Sequence, residues 1–241
     1  MKLSDYYHTT DNGSFSFTRE NGSQFAKCIA GDFNPLHDVQ AKKFCIPGDL
    51  LFALSLAKLG VSKNMQFSFK GMIAQDVLLN FECTDEENIA VVDQDKKEYL
   101  SINCSGEKSS DIALATSLAK SYVEFSGLTF PHILVPLMAK KNAMINPARP
   151  LVIYQSMSIN LNTLDFTDST LEIEDVRLDV EGKRGSACLK FNFRDDQQRI
   201  VGKGEKIMTL SGLREFNEET MQQLVIEYDQ RKQALKKNFF L

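Results

Sequence analysis

From Asp49 to Leu59 the chain reads DLLFALSLAKL, apolar at almost every position, free of any β-branched run and followed by Gly60. That pattern predicts a buried helix over 49–59, with Asp49 in the first turn, where a carboxylate complements the positive end of the helix dipole. Past Gly60 the period changes to two. Val77, Leu79, Phe81 and Cys83 alternate with other residues, as do Leu100, Ile102 and Cys104, which predicts strands over 65–72, 76–83, 89–93 and 99–104, each burying one face. The stretch EKSSD at 107–111 breaks the pattern, and 113–127 reads as a connector. The order then repeats. An apolar patch over 135–144, with Pro136 suited to the first helical turn, is followed by strands over 152–161, 170–180, 186–194 and 200–210, with a hairpin loop across 180–186. A short strand over 14–17 and a helix over 20–29 precede all of this. At the other end, Phe216, Met221, Leu224, Val225 and Tyr228 fall at roughly helical spacing within a charged stretch, predicting a helix packed on its own domain. These patterns together establish an α+β protein with an antiparallel sheet.

The candidate chemistry lies in FAKCIAGDFNPLHDVQAKKF, residues 25–44, where Asp32 and His37 flank an Asn-Pro turn. Pro35 fixes its own φ and biases Asn34 toward an extended conformation, so the carboxylate and the imidazole project from a stiff elbow. An Asp and a His held on one rigid loop are the usual parts of a proton-transfer site. The same polar residues also suit Asx-turns and caps, and spacing alone does not choose between the two uses. Asn34 reads as a residue that orients the loop. Asp38 reads as a solvated charge, and His8 and His132 as ordinary loop or helix-boundary histidines.

Gly31-Asp32-x-Asn34-Pro35-Leu36-His37 resembles the signature of the R-specific enoyl-CoA hydratases, the MaoC-like group of the hot-dog fold. Downstream, Ile46-Pro47-Gly48-Asp49-Leu50-Leu51 stands where that family has Ile-Ala-His-Gly-Met-Leu ahead of its central helix, so one His is absent and an Asp follows the Gly. The resemblance implies a tandem double hot-dog, each unit an antiparallel sheet wrapped around a central helix, the two joined because one unit alone leaves a sheet edge to pair. The implied units are a polar, loosely held leader at 1–12, an N-terminal unit at 13–128 carrying the Asp/His motif, a C-terminal unit at 129–212 without it, and a charged helical tail at 213–241. It also implies catalytic Asp32 and His37 sharing one water, a supporting Asn34, and backbone donors at Gly48, Asp49 and Leu50 for the thioester oxygen. The substrate would be a trans-2-enoyl-CoA or acyl carrier protein thioester, with coenzyme A or the carrier as part of the substrate and no separate cofactor. Two other functions fit the same features: a non-catalytic acyl-thioester or fatty-acyl binding module, and a hot-dog acyl-CoA thioesterase in which Asp32 activates hydrolytic water.

Composition narrows the classes. The 241 residues are 43% hydrophobic and 25% charged, which allows a sizeable core. A net charge of −4 and a pI near 5.5 argue against a nucleic-acid partner. No apolar stretch approaches the roughly 20 residues needed to span a bilayer, and the first residues lack a secretory apolar core, so a cytoplasmic location is expected. Cysteines 28, 45, 83, 104 and 188 show no CxxC or zinc-like spacing, so they are expected to be reduced and mostly buried, with no structural metal. A homodimer is left open.

Overall fold

The computed structural model describes residues 2–239, with side chains described for residues 2–235; Met1 of the expected leader and the last two residues of the expected tail lie outside this range. The strands are β1 (His8–Thr9), β2 (Phe15–Ser16), β3 (Val61–Phe69), β4 (Leu79–Cys83), β5 (Asn88–Asp93), β6 (Glu98–Ser109), β7 (Ala143–Met144), β8 (Val152–Leu161), β9 (Thr170–Glu181), β10 (Arg184–Arg194), β11 (Ile200–Ser211) and β12 (Arg214–Glu215). The α-helices are α1 (Arg19–Gln24), α2 (Gly48–Leu59), α3 (Ile112–Gly127), α4 (Thr129–His132), α5 (Leu134–Lys140) and α6 (Glu218–Phe239).

Ten strands form one continuous antiparallel sheet in the order β1-β2-β4-β5-β6-β3-β8-β11-β10-β9. The order is internally symmetric about its middle: β3 neighbours β6, then β5 and β4, while β8 neighbours β11, then β10 and β9. At the seam Met65 lies opposite Ile159 and Phe67 opposite Met157. All four side chains are buried, so the seam is an apolar cross-strand ladder, the arrangement that stabilises a sheet most directly. The alternating strands predicted from period two are present, with ends shifted by a few residues. β6 runs into the EKSSD segment as far as Ser109, because residues there need no buried face to pair with β3. The hairpin expected across 180–186 closes on Gly182 and Lys183, with Gly182 at φ +55°.

Two long helices lie against the sheet. The first is α2, as expected, with Leu50, Leu51, Phe52, Leu54 and Leu56 each at most 1% exposed; each such side chain contributes roughly 1.5–3 kcal/mol. The second is α3, which corrects the sequence expectation of a connector over 113–127 and a second long helix over 135–144. Leu114, Ala115, Leu118, Ala119, Tyr122 and Val123 are buried and recur at helical spacing, a stripe that period-two reading passes over. Asp111 caps the helix by accepting from the N–H of Ala113 at 2.8 Å. The patch at 135–144 instead forms the seven-residue α5 and then β7, which pairs with β12 outside the main sheet. Phe52 of α2 meets Phe67 of β3 at 5.0 Å and Tyr122 of α3 at 4.8 Å, and Tyr122 and Phe125 reach Phe191 of β10 at 5.9 and 5.0 Å. The two helices therefore share one core with both halves of the sheet.

The leader is tied down rather than loose: Tyr6 packs edge-on against Phe25 at 5.4 Å and β1 pairs with β2. Helix α6 packs back on the segment before Gly31. Among the described residues no helix is long and apolar enough to cross a membrane. The cysteines are less buried than expected, with Cys28 and Cys83 exposed and the other three intermediate.

Candidate functional site

The segment 25–44 folds as a chain of local devices. Thr18 opens α1 with a reciprocal capping box to Asn21, and the helix passes directly into a π-helical turn over Phe25–Ala30. Gly31, at φ +67°, ends that turn, and the Asp32 N–H donates back to Ala26 O at 2.8 Å. Asp32 Oδ1 then accepts from the N–H of Asn34 at 2.8 Å, and Asn34 Oδ1 from the N–H of Leu36 at 3.1 Å. Both oxygens thus hold the turn in place, and Asp32 Oδ2 accepts no hydrogen bond from the described residues.

His37 sits in the short 3₁₀ turn Pro35–His37, and its Nδ1 lies 2.7 Å from Cys45 O. A carbonyl can only accept, so the contact assigns the hydrogen to Nδ1 and leaves Nε2 of the neutral ring as an acceptor. Nε2 stands 3.7 Å from Asp32 Oδ2, too far for a direct hydrogen bond. Two acceptors at that separation can be bridged by one water donating both of its protons, which points the water's lone pairs away from the loop. Asp38 is not the solvated charge expected: it accepts from Lys27 at 2.9 Å and from Arg231 of α6 at 2.6 Å.

Asp32, Asn34 and His37 line a cavity of about 580 Å³ whose wall also includes Gly48, Asp49, Phe69, Val152, Met208 and Leu224. The lining comes from both halves of the sheet, from α2 and α3, and from α6. Leu50 is corrected: its side chain is wholly in the core and its N–H bonds Pro47 O at 3.1 Å, so it offers the cavity no donor. On the side where a side chain would stand, Gly48 faces aromatic rings. A Cβ there would lie 3.0 Å from Phe69 and from Tyr154, whose rings pack together at a tilt of 31° with centroids 4.4 Å apart.

Asp49 does more than complement a helix dipole. Its Oδ2 accepts from Ser126 Oγ at 2.6 Å, and Lys206 Nζ donates to the same Ser126 oxygen. Lys206 Nζ also lies 4.5 Å above the Tyr154 ring. Burial raises the Asp49 pKa, with Lys206 and Ser126 opposing it, and burial lowers that of Lys206, with Asp49 and Asp32 opposing. The Tyr122 and Tyr154 hydroxyls bond each other beside this cluster, and burial pushes both well above the ordinary phenol value. Ser126 and Lys206 were not singled out in the sequence, where each stands alone, without a motif. Among the described residues no three His, Cys, Asp or Glu side chains converge as metal ligands would.

A family model described as a protein of unknown function, DUF3581, matches residues 1–219. The chain belongs to this family. No curated protein shows a significant sequence match. Among solved structures, the chain is similar to the tesB protein of Mycobacterium avium subspecies paratuberculosis, with 9% identity, a TM-score of 0.48, and 86% of this chain and 98% of that one covered. It is also similar to the acyl-CoA thioesterase II TesB2 of Mycobacterium marinum, with 10% identity, a TM-score of 0.45, and 90% and 99% covered. The dehydratase domain of PpsC from Mycobacterium tuberculosis, solved in complex with C12:1-CoA, has 9% identity, a TM-score of 0.42, and 85% and 97% covered. Likenesses at these values carry no chemistry across to the DUF3581 chain.

Proposed function

We propose that this DUF3581 protein is an R-specific enoyl-thioester hydratase, adding water to trans-2-enoyl-CoA or acyl carrier protein thioesters. The observation that carries the reading is the pair of acceptors, Asp32 Oδ2 and His37 Nε2, held 3.7 Å apart on the wall of a largely apolar cavity. In this reading the pair holds one water. Its oxygen attacks the β-carbon, a proton passes to His37 and Asp32, and a proton returns to the α-carbon as the enolate collapses. The apolar wall takes the acyl chain. The fold reading that accompanies it is a tandem double hot-dog, with units at 13–128 and 129–212 and the motif in the first alone; the symmetric strand order about the β3–β8 seam supports it. The reaction needs no cofactor beyond the carrier on the substrate, and the protein is proposed to be cytoplasmic, with a homodimer compatible.

The test is turnover of a panel of enoyl thioesters from crotonyl to dodecenoyl, with acyl-CoA binding followed in parallel by thermal shift. Asp32→Asn and His37→Ala should each lower hydration by about 10²- to 10⁴-fold while binding persists. The double variant should be scarcely worse than either single one, because the two act through one water. Binding without turnover of any thioester would replace the hydratase with a binding module, and release of free thiol without hydration would replace it with a thioesterase.

A further inference from the structure

Hydration of an enoyl thioester places negative charge on the thioester oxygen, and a site for it must present a donor there. The start of α2 is the position implied by the motif; there Leu50 has spent its N–H on Pro47 O, which leaves Gly48 and Asp49 as the cavity-lining residues of that turn. A different donor stands beside the same helix turn. Lys206 lies on the Tyr154 ring, bonds Ser126, and through it reaches Asp49, the residue after Gly48. Lys206, Ser126 and Asp49 are respectively 4%, 7% and 7% exposed, and all three line the cavity that holds Asp32 and His37. An ammonium carries three N–H donors, and one is given to Ser126. On the other side of the cluster, Asp49 Oδ1 is buried and accepts nothing from the described residues. A carbonyl oxygen cannot satisfy this acceptor, so within the cluster it is the Lys206 ammonium that suits a thioester oxygen. The charge of Asp32 reaches both Asp49 and Lys206, so the two polar groups act on the same space.

We propose that Lys206, steadied by Ser126 and Asp49, donates to the thioester carbonyl oxygen and stabilises the enolate formed when water adds. This rests on the hydratase reading. As the water's oxygen bonds to the β-carbon, the alkene π electrons move toward the thioester and the oxygen gains charge against the Lys206 ammonium. The proton lost by the water goes to the Asp32–His37 pair, and one proton returns to the α-carbon as the carbonyl re-forms. Nothing is oxidised or reduced. Lys206 is then a catalytic residue, and Ser126 and Asp49 are positioning residues.

A cinnamoyl-CoA bearing a 4-dimethylamino group tests this without turnover, since its absorption moves to the red when the carbonyl oxygen is polarised. The expected result is a red shift on binding to the wild-type protein, kept in Asp32→Asn and His37→Ala and lost in Lys206→Met, with the bound fraction measured separately by equilibrium dialysis. With a reactive enoyl thioester, Lys206→Met should lower kcat by about 10²- to 10³-fold with little change in KM. Should Lys206→Met fail to fold, the double variant Asp49→Asn with Lys206→Met removes both buried charges and should lose the shift equally. A bound chromophore that shows no red shift on the wild type, or a shift retained without Lys206, overturns the role of Lys206 and leaves the hydratase reading standing. Absence of binding to the wild type overturns both.

Discussion

Asp32 and His37 stand on one short loop and keep an open side, with side chains 28% and 11% exposed, whereas Asp49, Ser126 and Lys206 come from α2, α3 and β11 and are almost wholly buried. Both sets face one cavity. The loop pair is braced by short-range bonds to Asn34 N–H and Cys45 O, with Asn34 holding Leu36 N–H, so removing either side chain costs one local bond and strands no buried charge. The buried set has no such local frame: each member is held by the others, and the segments carrying them are held partly by this contact. Function and stability are therefore separable at the first set and joined at the second.

The sharpest way to break that contrast is to remove the buried carboxylate. Asp49→Ala leaves the Lys206 ammonium in the core without its counter-charge, and breaking a buried pair in this way costs about 3 to 5 kcal/mol. Asp32→Ala, at a part-exposed site, should cost no more than about 1 kcal/mol. Urea denaturation of the two variants checks the difference, and equal losses would mean that the two sets do not differ as argued. Replacing both charges together, Asp49→Leu with Lys206→Met, should recover most of the loss.

The same contrast decides what the sequence could tell. The elbow of residues 31–37 was legible because its devices are local: a glycine, an Asx-turn, a proline and a histidine in one run. Helix α2 was legible because it is apolar on all sides. Helix α3 was missed although its buried stripe is regular, since the turn-rich EKSSD before it and the small residues within it read as a connector. Ser126 and Lys206 were illegible for a different reason. They lie 77 and 157 positions from Asp49, and nothing in their own surroundings marks them until the sheet closes. Leu50 as an oxyanion donor failed on a detail of the helix start, where the Leu50 N–H turns back to Pro47 O.

A second test sharpens the loop side of the comparison through Cys45, whose carbonyl holds His37 and whose side chain is partly buried. Burial pushes the Cys45 thiol up from 9.0 to about 11. A group whose pKa is raised by folding contributes stability that is fully present below the unfolded value and is lost as pH rises through the folded one. Stability should therefore fall between about pH 9 and 11 by about 2 to 3 kcal/mol on account of this thiol. Cys45→Ala removes that component and keeps the carbonyl, so the difference between variant and wild-type denaturation across this window isolates it from the other titrating groups. Parallel curves would refute the burial of the thiol in solution.

The smallest effect concerns a hydroxyl that joins the two sets. Tyr228 of α6 directs its O–H at Gly31 O, 2.9 Å away, and at Gly127 O, 3.2 Å away. Gly31 precedes Asp32, and Gly127 follows Ser126. These two segments are already in tight contact: a Cβ on Gly127 would lie 1.6 Å from Ala30 O, so only glycine permits the approach. Tyr228 also packs edge-on against Phe33 at 5.5 Å and Phe130 at 5.4 Å, and Tyr228→Phe keeps that packing. The variant should lose about 1 to 2 kcal/mol, from two carbonyls left without their shared donor. If the hydroxyl sets the distance between the loop pair and the buried set, turnover should fall several-fold with acyl-CoA affinity unchanged, since positioning acts on the reacting geometry rather than on binding. A stability loss with turnover untouched would show that α6 braces the fold without tuning the site.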